Sequence, residues 1–322
     1  MKLGKIELDP RSAGLAPMAG VADMAFRELC VEYGATYVVS EMVSSKGLTM
    51  CDRKSRKLLV LSDKERPAAA QIFGCDPKIM AQSAVSCLDF HPDVIDINMG
   101  CPAPKIAGNG GGSALLKSPA LAGEIIKEVV NAVDLPVTVK IRIGWDKDSI
   151  NAVEMAKIAE QAGAAAITVH GRTREQMYAP PVDTETIALV KKSVSIPVIA
   201  NGDIVDGLSA AKMIEETGCD YLLVGRGALG RPWVFSQISA YLKYEKILPE
   251  PPVSERMRVM IRHIERICDY KGEKVGIKEA RKHAAWYIKG MRGAAPYRQQ
   301  IGMLSSIEQL HELAYKIAVE NS

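Results

Sequence analysis

The chain has 322 residues, 48% hydrophobic and 25% charged, with 41 Lys and Arg against 38 Asp and Glu and a net charge of +3. These values are ordinary for a soluble globular protein that can bury a large core without disulfides. No stretch free of Asp, Glu, Lys and Arg exceeds 11 residues, which argues against a bilayer-spanning helix.

Eight short apolar runs follow one another, each ending in turn-type or polar residues. They are Gly14–Pro17, Tyr37–Ser40, Ala68–Ile72, Val94–Asn98, Val137–Arg142, Ala166–His170, Val198–Asn201 and Tyr221–Gly225. The spacers between them read as helices. Ser118-Pro119 offers a cap and a proline at the first helical position before LAGEIIKEVVNAV. Asn151–Ala162 and Leu208–Thr217 are amphipathic, with Gly163 and Gly218 as stops. Eight β/α units predict an α/β fold of the (β/α)8 TIM-barrel type, with a doubly wound open sheet as the competitor. Lys246–Pro252 reads as a linker, and helical spacing of Met257, Met260, Ile261, Ile264 and Ile267 follows it. Ser305 and Glu308 fit a capping box for a last helix. The expected organisation is a barrel over residues 1–243 and a small all-helical domain over 244–322.

Seven cysteines, with no C-x-x-C pair, disfavour a disulfide scaffold, a zinc ribbon and a cysteine-held cluster. The N-terminal MKLGKIELDP lacks the apolar stretch of a secretory signal. A cytoplasmic protein without a metal site is the expectation.

Side chains alternate along a strand, so parity separates its faces. In Val137–Ile143 the aliphatic residues share one face, and Thr138, Lys140 and Arg142 share the other. Asp96 and Asn98 oppose Ile95 and Ile97, and Thr168 and His170 oppose Ile167 and Val169. Gln71 and Asn201 end their own strands. Five consecutive strands thus finish in a polar side chain, at the barrel end where active sites form. Asn201-Gly202-Asp203 and the glycine-rich Gly225–Gly230 follow strands seven and eight, whose loops commonly hold phosphate in such barrels. Arg226 suits an anion. A phosphorylated cofactor spanning the mouth fits, FMN or a sugar phosphate. Cys101 lies in the loop after strand four and suits a nucleophile or a general acid, whereas Cys87 and Cys219 read as buried apolar residues. Asn109–Ser113 is a lid or a simple connector.

The segments LAPMAGVADMAFR, QIFG, DVIDINMGCPAPKIAGNGGGSALL, VKIRIGWD, ITVHGRTREQMY, VIANGDI and YLLVGRGALGRPWVF resemble, in order, those of the tRNA-dihydrouridine synthases, a flavin-dependent family. The similarity is to the B-type bacterial branch. It implies FMN-dependent, NADPH-driven reduction of the uridine 5,6 double bond in tRNA, at a D-loop position. Hydride would go from the flavin to C6, and a proton from Cys101 to C5. It further implies that Pro17, Met18, Ala19, Gln71, Lys140, His170, Asn201, Gly202, Asp203, Gly225 and Arg226 hold FMN. Asn98 and Arg142 match positions near the target uracil, and Arg172, Arg174 and Gln176 match a loop expected to contact RNA. The family's usual Tyr-x-Gly-x-Ala-Asp-Trp is replaced here by Tyr178 and Ala179-Pro180-Pro181-Val182-Asp183-Thr184.

A uridine within folded RNA must be extracted from its stack, which requires a grip on phosphates. Residues 256–298 carry twelve Lys and Arg against four Asp and Glu. Arg258, Arg262 and Arg266 form one helical stripe, and Lys278, Lys282 and Lys289 a second. Two stripes favour an RNA partner over a solvated face. The competing functions are an FMN barrel acting on a free small molecule and a non-enzymatic RNA-binding protein. The basic tail argues against the first, and the complete polar ring against the second. A monomer is the default expectation.

Overall fold

A computed structural model describes residues 1–291 and 293–321. Eight parallel strands close into a barrel: β1 (Ala13–Leu15), β2 (Val38–Val39), β3 (Ala68–Phe73), β4 (Val94–Met99), β5 (Val137–Arg142), β6 (Ala166–His170), β7 (Val198–Asn201) and β8 (Tyr221–Val224). Neighbours in sequence pair throughout, and β8 returns to β1 with Val224 opposite Leu15. The (β/α)8 expectation therefore holds, and the open sheet is excluded. β1 is shorter than its apolar run. Ala16 still donates to Val224, but Pro17 has no N–H with which to extend the ladder.

The outer layer contains α1 (Met24–Glu32), α2 (Pro77–Cys87), α3 (Pro119–Ala132), α4 (Ala152–Gln161), α5 (Thr184–Ser193), α6 (Gly207–Thr217) and α7 (Val234–Tyr244). Short helices at Ser45–Thr49 and Arg53–Leu58 connect β2 to β3. Asp23, Asp76, Asp183 and Asp206 cap α1, α2, α5 and α6, each accepting from a backbone N–H three residues on. At α3, Pro119 occupies the first turn as expected, but the Ser118 side chain makes no capping bond. Gly163 and Gly218 end α4 and α6 with φ of +94° and +63°.

Parity sorts the barrel as the strands predicted. Ile95, Ile97, Val137, Val139, Ile141, Ile167 and Val169 pack outward against the helices. The inner face is apolar at the N-terminal end, where Tyr37, Ala69, Val94, Ala166, Ile199 and Tyr221 form one cluster. A two-stranded hairpin, Lys2–Leu3 with Ile6–Glu7, closes that end, and Leu3 and Leu8 join the cluster. Toward the C-terminal end the interior turns polar.

Past the linker come α8 (Val253–Lys271), α9 (Glu273–Tyr287), α10 (Ala294–Met303) and α11 (Ile307–Glu320). Met257, Met260, Ile264 and Ile267 are buried against Ile277, Ala284, Tyr287, Leu310 and Ile317, and Ile261 packs on the same core. The cap of α11 differs from the sequence expectation. Ser306, one residue later than Ser305, accepts from Gln309 N, while Ser305 itself donates to the Gln309 side chain.

The helical unit shares its core with the barrel, since Ala25 and Leu29 of α1 and Trp233 belong to the same cluster. A charged seam runs beside it. Arg266 pairs with Glu28 and Glu32, Arg262 with Glu32, and Lys271 with Asp23 at 2.6 Å. Two arginines of the first basic stripe therefore face barrel carboxylates. Exposure along that stripe falls from 73% at Arg258 to 49% at Arg262 and 18% at Arg266.

Candidate active site

The polar strand ends converge on one open cavity of about 980 Å³. Pro17, Met18, Ala19, Gln71, Asn98, Cys101, Lys140, Arg142, His170, Asn201, Gly202, Asp203, Gly225 and Arg226 all line it. Arg172, Arg174 and Gln176 do not. Arg172 is buried behind the wall, donating to Ala179 O at 2.7 Å and pairing with Asp203 at 2.5 Å. Arg174 stacks on Trp145. Gln176 ties the loop to itself, through Thr173 and the Ala179 and Pro181 carbonyls.

Cavity-facing groups are bound to one another in two chains. In the first, Gln71 Nε2 donates to Asp96 Oδ2 at 2.6 Å, and Thr138 Oγ1 donates to Asp96 Oδ1 at 2.5 Å. Asn98 Nδ2 donates to Gln71 Oε1 at 2.9 Å. Asn98 Oδ1 then accepts the N–H groups of Gly100 and Cys101, at 3.2 and 2.9 Å. In the second, Lys140 Nζ donates to Asn201 Oδ1 at 3.1 Å, and Asn201 Nδ2 to Leu223 O at 2.8 Å. Arg142 is tied to three carbonyls, of Gly100, Thr173 and Met177. Its guanidinium and that of Arg226 both lie over the Tyr178 ring, at 5.6 and 4.6 Å.

Burial sets the charge states. Loss of solvent, reinforced by the Arg142 charge, brings Lys140 down to about 8. Burial pushes Asp96 up to about 6, against the Thr138 and Gln71 donors and the Lys140 charge. His170 is driven down by burial and by Lys140, so it is neutral at pH 7. Burial pushes the Cys101 thiol up, against the Ala103 N–H and the Arg142 and Lys140 charges. The thiol therefore keeps its proton at neutral pH.

This donor set suits a phosphorylated, electron-accepting ring. Lys140 and Arg226 offer positive charge, and the backbone is open at Gly225 but packed at Gly202. A Cβ at Gly225 would meet nothing closer than Met18 Sδ at 3.9 Å. A Cβ at Gly202, whose φ is +133°, would strike Val182 at 2.8 Å. Val182 belongs to the segment after Tyr178, and it fills the space between Gly171 and Gly202.

The family model described as dihydrouridine synthase matches residues 14–321. The chain belongs to the dihydrouridine synthase family. Among its relatives in that family, it is 47% identical to tRNA-dihydrouridine synthase B of Pseudomonas aeruginosa over 93% of this chain and 90% of the relative. It is 44% identical to tRNA-dihydrouridine synthase B of Proteus vulgaris over 97% of each chain. A probable tRNA-dihydrouridine synthase of Rickettsia conorii is 44% identical over 95% of this chain and 92% of its own. Among solved structures, the 6-hydroxypseudooxynicotine amine oxidase of Pseudomonas geniculata N1 superposes with a TM-score of 0.56 at 14% identity. That match covers 74% of this chain and 49% of the other, and it reports fold alone. The NMGCP and HGRTREQ segments begin at the ends of β4 and β6 and run on into loops beside the cavity, which Asn98, Gly100, Cys101, Pro102 and His170 line.

The helical unit also contributes to the cavity, which sequence reasoning did not anticipate. Arg256, Trp286, Lys289 and Gly290 line its outer side. Gly230 explains the close approach, since a Cβ there would lie 2.4 Å from the Trp286 carbonyl carbon. Arg256 donates to Tyr287 O and Lys289 O, fastening the end of α9. The basic count over 256–298 pointed to this region, but nothing in it pointed to a cavity wall.

Proposed function

We propose that the protein is a cytoplasmic tRNA-dihydrouridine synthase that reduces the 5,6 double bond of a D-loop uridine with FMN and NADPH. The observation that carries this reading is Cys101, its thiol kept protonated by burial and its backbone N–H bound to Asn98 Oδ1, on the same cavity as Lys140, Asn201 and the two glycine turns. The chemistry that FMN, reduced by NADPH, would supply here is a hydride for uracil C6. Gly202–Asp203 and Gly225–Arg226 would cradle its phosphate, with Pro17–Ala19, Gln71, Lys140, His170 and Asn201 around the ring. Lys140, a charged donor lining the cavity, would offset negative charge that develops there. Cys101 delivers its proton to uracil C5. Asn98 and Arg142 orient the uracil, and Arg142 is held rigid for that task by its three carbonyls. Arg172, Arg174 and Gln176 would act by shaping the 171–183 loop that carries Tyr178.

In this reading residues 1–243 hold the cofactor and 244–322 grip the RNA, with the protein acting as a monomer. Lys278, Lys282 and Lys289 of α9 and its following turn are exposed and in no ion pair among the described residues. They form the RNA face more readily than Arg262 and Arg266, which are engaged in the seam. Replacing all three lysines by alanine should weaken tRNA binding and lower the slope of log K against log salt by about 2–3. Filter binding across a salt series measures that slope; an unchanged slope would move the RNA face elsewhere.

The function itself is tested by purification and by genetics. The protein should be yellow, with released FMN in equimolar amount. tRNA from cells lacking it should lose dihydrouridine at a defined position, recovered on complementation. Full dihydrouridine in that tRNA would refute the proposal. No helix among the described residues is long and apolar enough to cross a membrane.

A further inference from the structure

The first hydrogen-bond chain has a direction, and one residue outside the cavity sets it. A side-chain amide can turn over, exchanging its oxygen for its nitrogen, and only its partners decide which way it points. Asp96 sits beneath the cavity floor on β4, only 3% exposed. An ionised carboxylate only accepts, so Gln71 must present Nε2 to it and Thr138 must present its hydroxyl hydrogen. That leaves Gln71 Oε1 facing Asn98, which must donate. Asn98 Oδ1 is thereby turned toward the Gly100 and Cys101 N–H groups. Reversing any one amide would set donor against donor or acceptor against acceptor at the next link.

We propose that Asp96 is a positioning residue for Cys101, acting through the Gln71 and Asn98 amides. The proposal rests on the reading of Cys101 as the proton donor. It assigns a task to a buried carboxylate that touches neither cofactor nor substrate. It also accounts for Thr138, which fills the second acceptor oxygen and prevents Asp96 from turning away from Gln71.

The test exploits how amides can be satisfied. In Asp96→Asn, the new amide can still accept from Gln71 if its nitrogen donates to the Thr138 hydroxyl, which can accept. In Thr138→Val, the carboxylate remains and still holds Gln71. In the double variant no partner fixes the amide introduced at position 96, and the direction of the chain is lost. Two readouts follow. One is uridine reduction by pre-reduced enzyme on tRNA, set beside flavin reduction by NADPH. The other is alkylation of Cys101 by iodoacetamide in apo-protein, read by peptide mass spectrometry.

Each single variant should change both uridine reduction and Cys101 alkylation by less than about threefold, whereas the double should lose at least about tenfold in uridine reduction. Its alkylation rate should shift beyond the product of the singles, while flavin reduction, which Gln71 reaches only through the bound cofactor, should fall clearly less than uridine reduction. Effects that merely multiply, or flavin reduction that falls in step with uridine reduction, would overturn the proposal. If the double variant fails to fold by circular dichroism, Asp96→Leu removes the acceptor alone and should show the same split. A wild-type enzyme that makes no dihydrouridine would instead refute the function, and the alkylation comparison would still decide the role of Asp96.

Discussion

Cys101→Ala should retain FMN and oxidise NADPH at close to the wild-type rate, yet lose about 10²- to 10⁴-fold in dihydrouridine formation. The two halves of the reaction separate because Cys101 lies on the loop after β4, whereas the charged and amide groups suited to the cofactor come from β3, β5, β6, β7 and the turns after β7 and β8. The thiol is also small, so alanine opens little space. A thiol that burial keeps protonated is a donor near pH 7 and gives up that role only as pH rises well into the alkaline range. The wild-type uridine half-reaction should therefore hold through neutral pH and decline on the alkaline side, first as Lys140 loses its charge at about 8 and then as the thiol ionises. Stopped-flow flavin absorbance, run first with NADPH and then with tRNA, resolves the two halves. Normal flavin oxidation by tRNA in the variant would remove Cys101 from the mechanism.

Arg27→Met should cost about 3–5 kcal/mol of stability, because it strands a carboxylate with no solvent access. Arg27 and Glu65 are 1% and 0% exposed. The guanidinium meets Glu65 through Nε at 2.6 Å and a terminal nitrogen at 3.0 Å, and it also donates to the Ala22 and Val60 carbonyls. With the arginine gone, Glu65 keeps the Ser62 N–H at 2.8 Å but no countercharge. The melting midpoint should fall on the order of 10 °C. Arg27→Met/Glu65→Leu should recover most of that loss, since an apolar pair needs no desolvated charge. Equal melting of the single and double variants would show that the cost lies in packing. Ala22 closes the loop that begins at Pro17, so the single variant should also hold FMN less tightly.

The barrel was legible in the sequence because its signal is periodic and local. Alternation in Val137–Arg142 and Ala166–His170 predicted which side chains turn inward, and a closed parallel barrel gives those chains one destination. The polar ring followed from the same parity. What stayed hidden depends on contacts between distant segments. Arg262 and Arg266 keep perfect helical spacing, but spacing does not reveal that Glu28 and Glu32 lie opposite. Arg172 looks like a free cation in its loop, yet it is folded inward to Asp203 and Ala179. Trp286 and Lys289 enter the cavity only because Gly230 lets the end of α9 approach the turn after β8. The extra strand Val43–Ser44 beside β3 is too short for any pattern to mark it.

The seam between barrel and helices has an evolutionary consequence. A barrel cut free of residues 244–322 would bare Ala25, Leu29 and Trp233, leave Glu28 without Arg266, and open one side of the cavity. A helical unit taken from a relative would need side chains that complement the same α1 surface. The two parts are therefore expected to exchange between relatives only as a matched set: the helices together with α1 and the turn after β8. A chimera that moves the helices alone should be less soluble than either parent, and carrying those two barrel segments across with them should restore it.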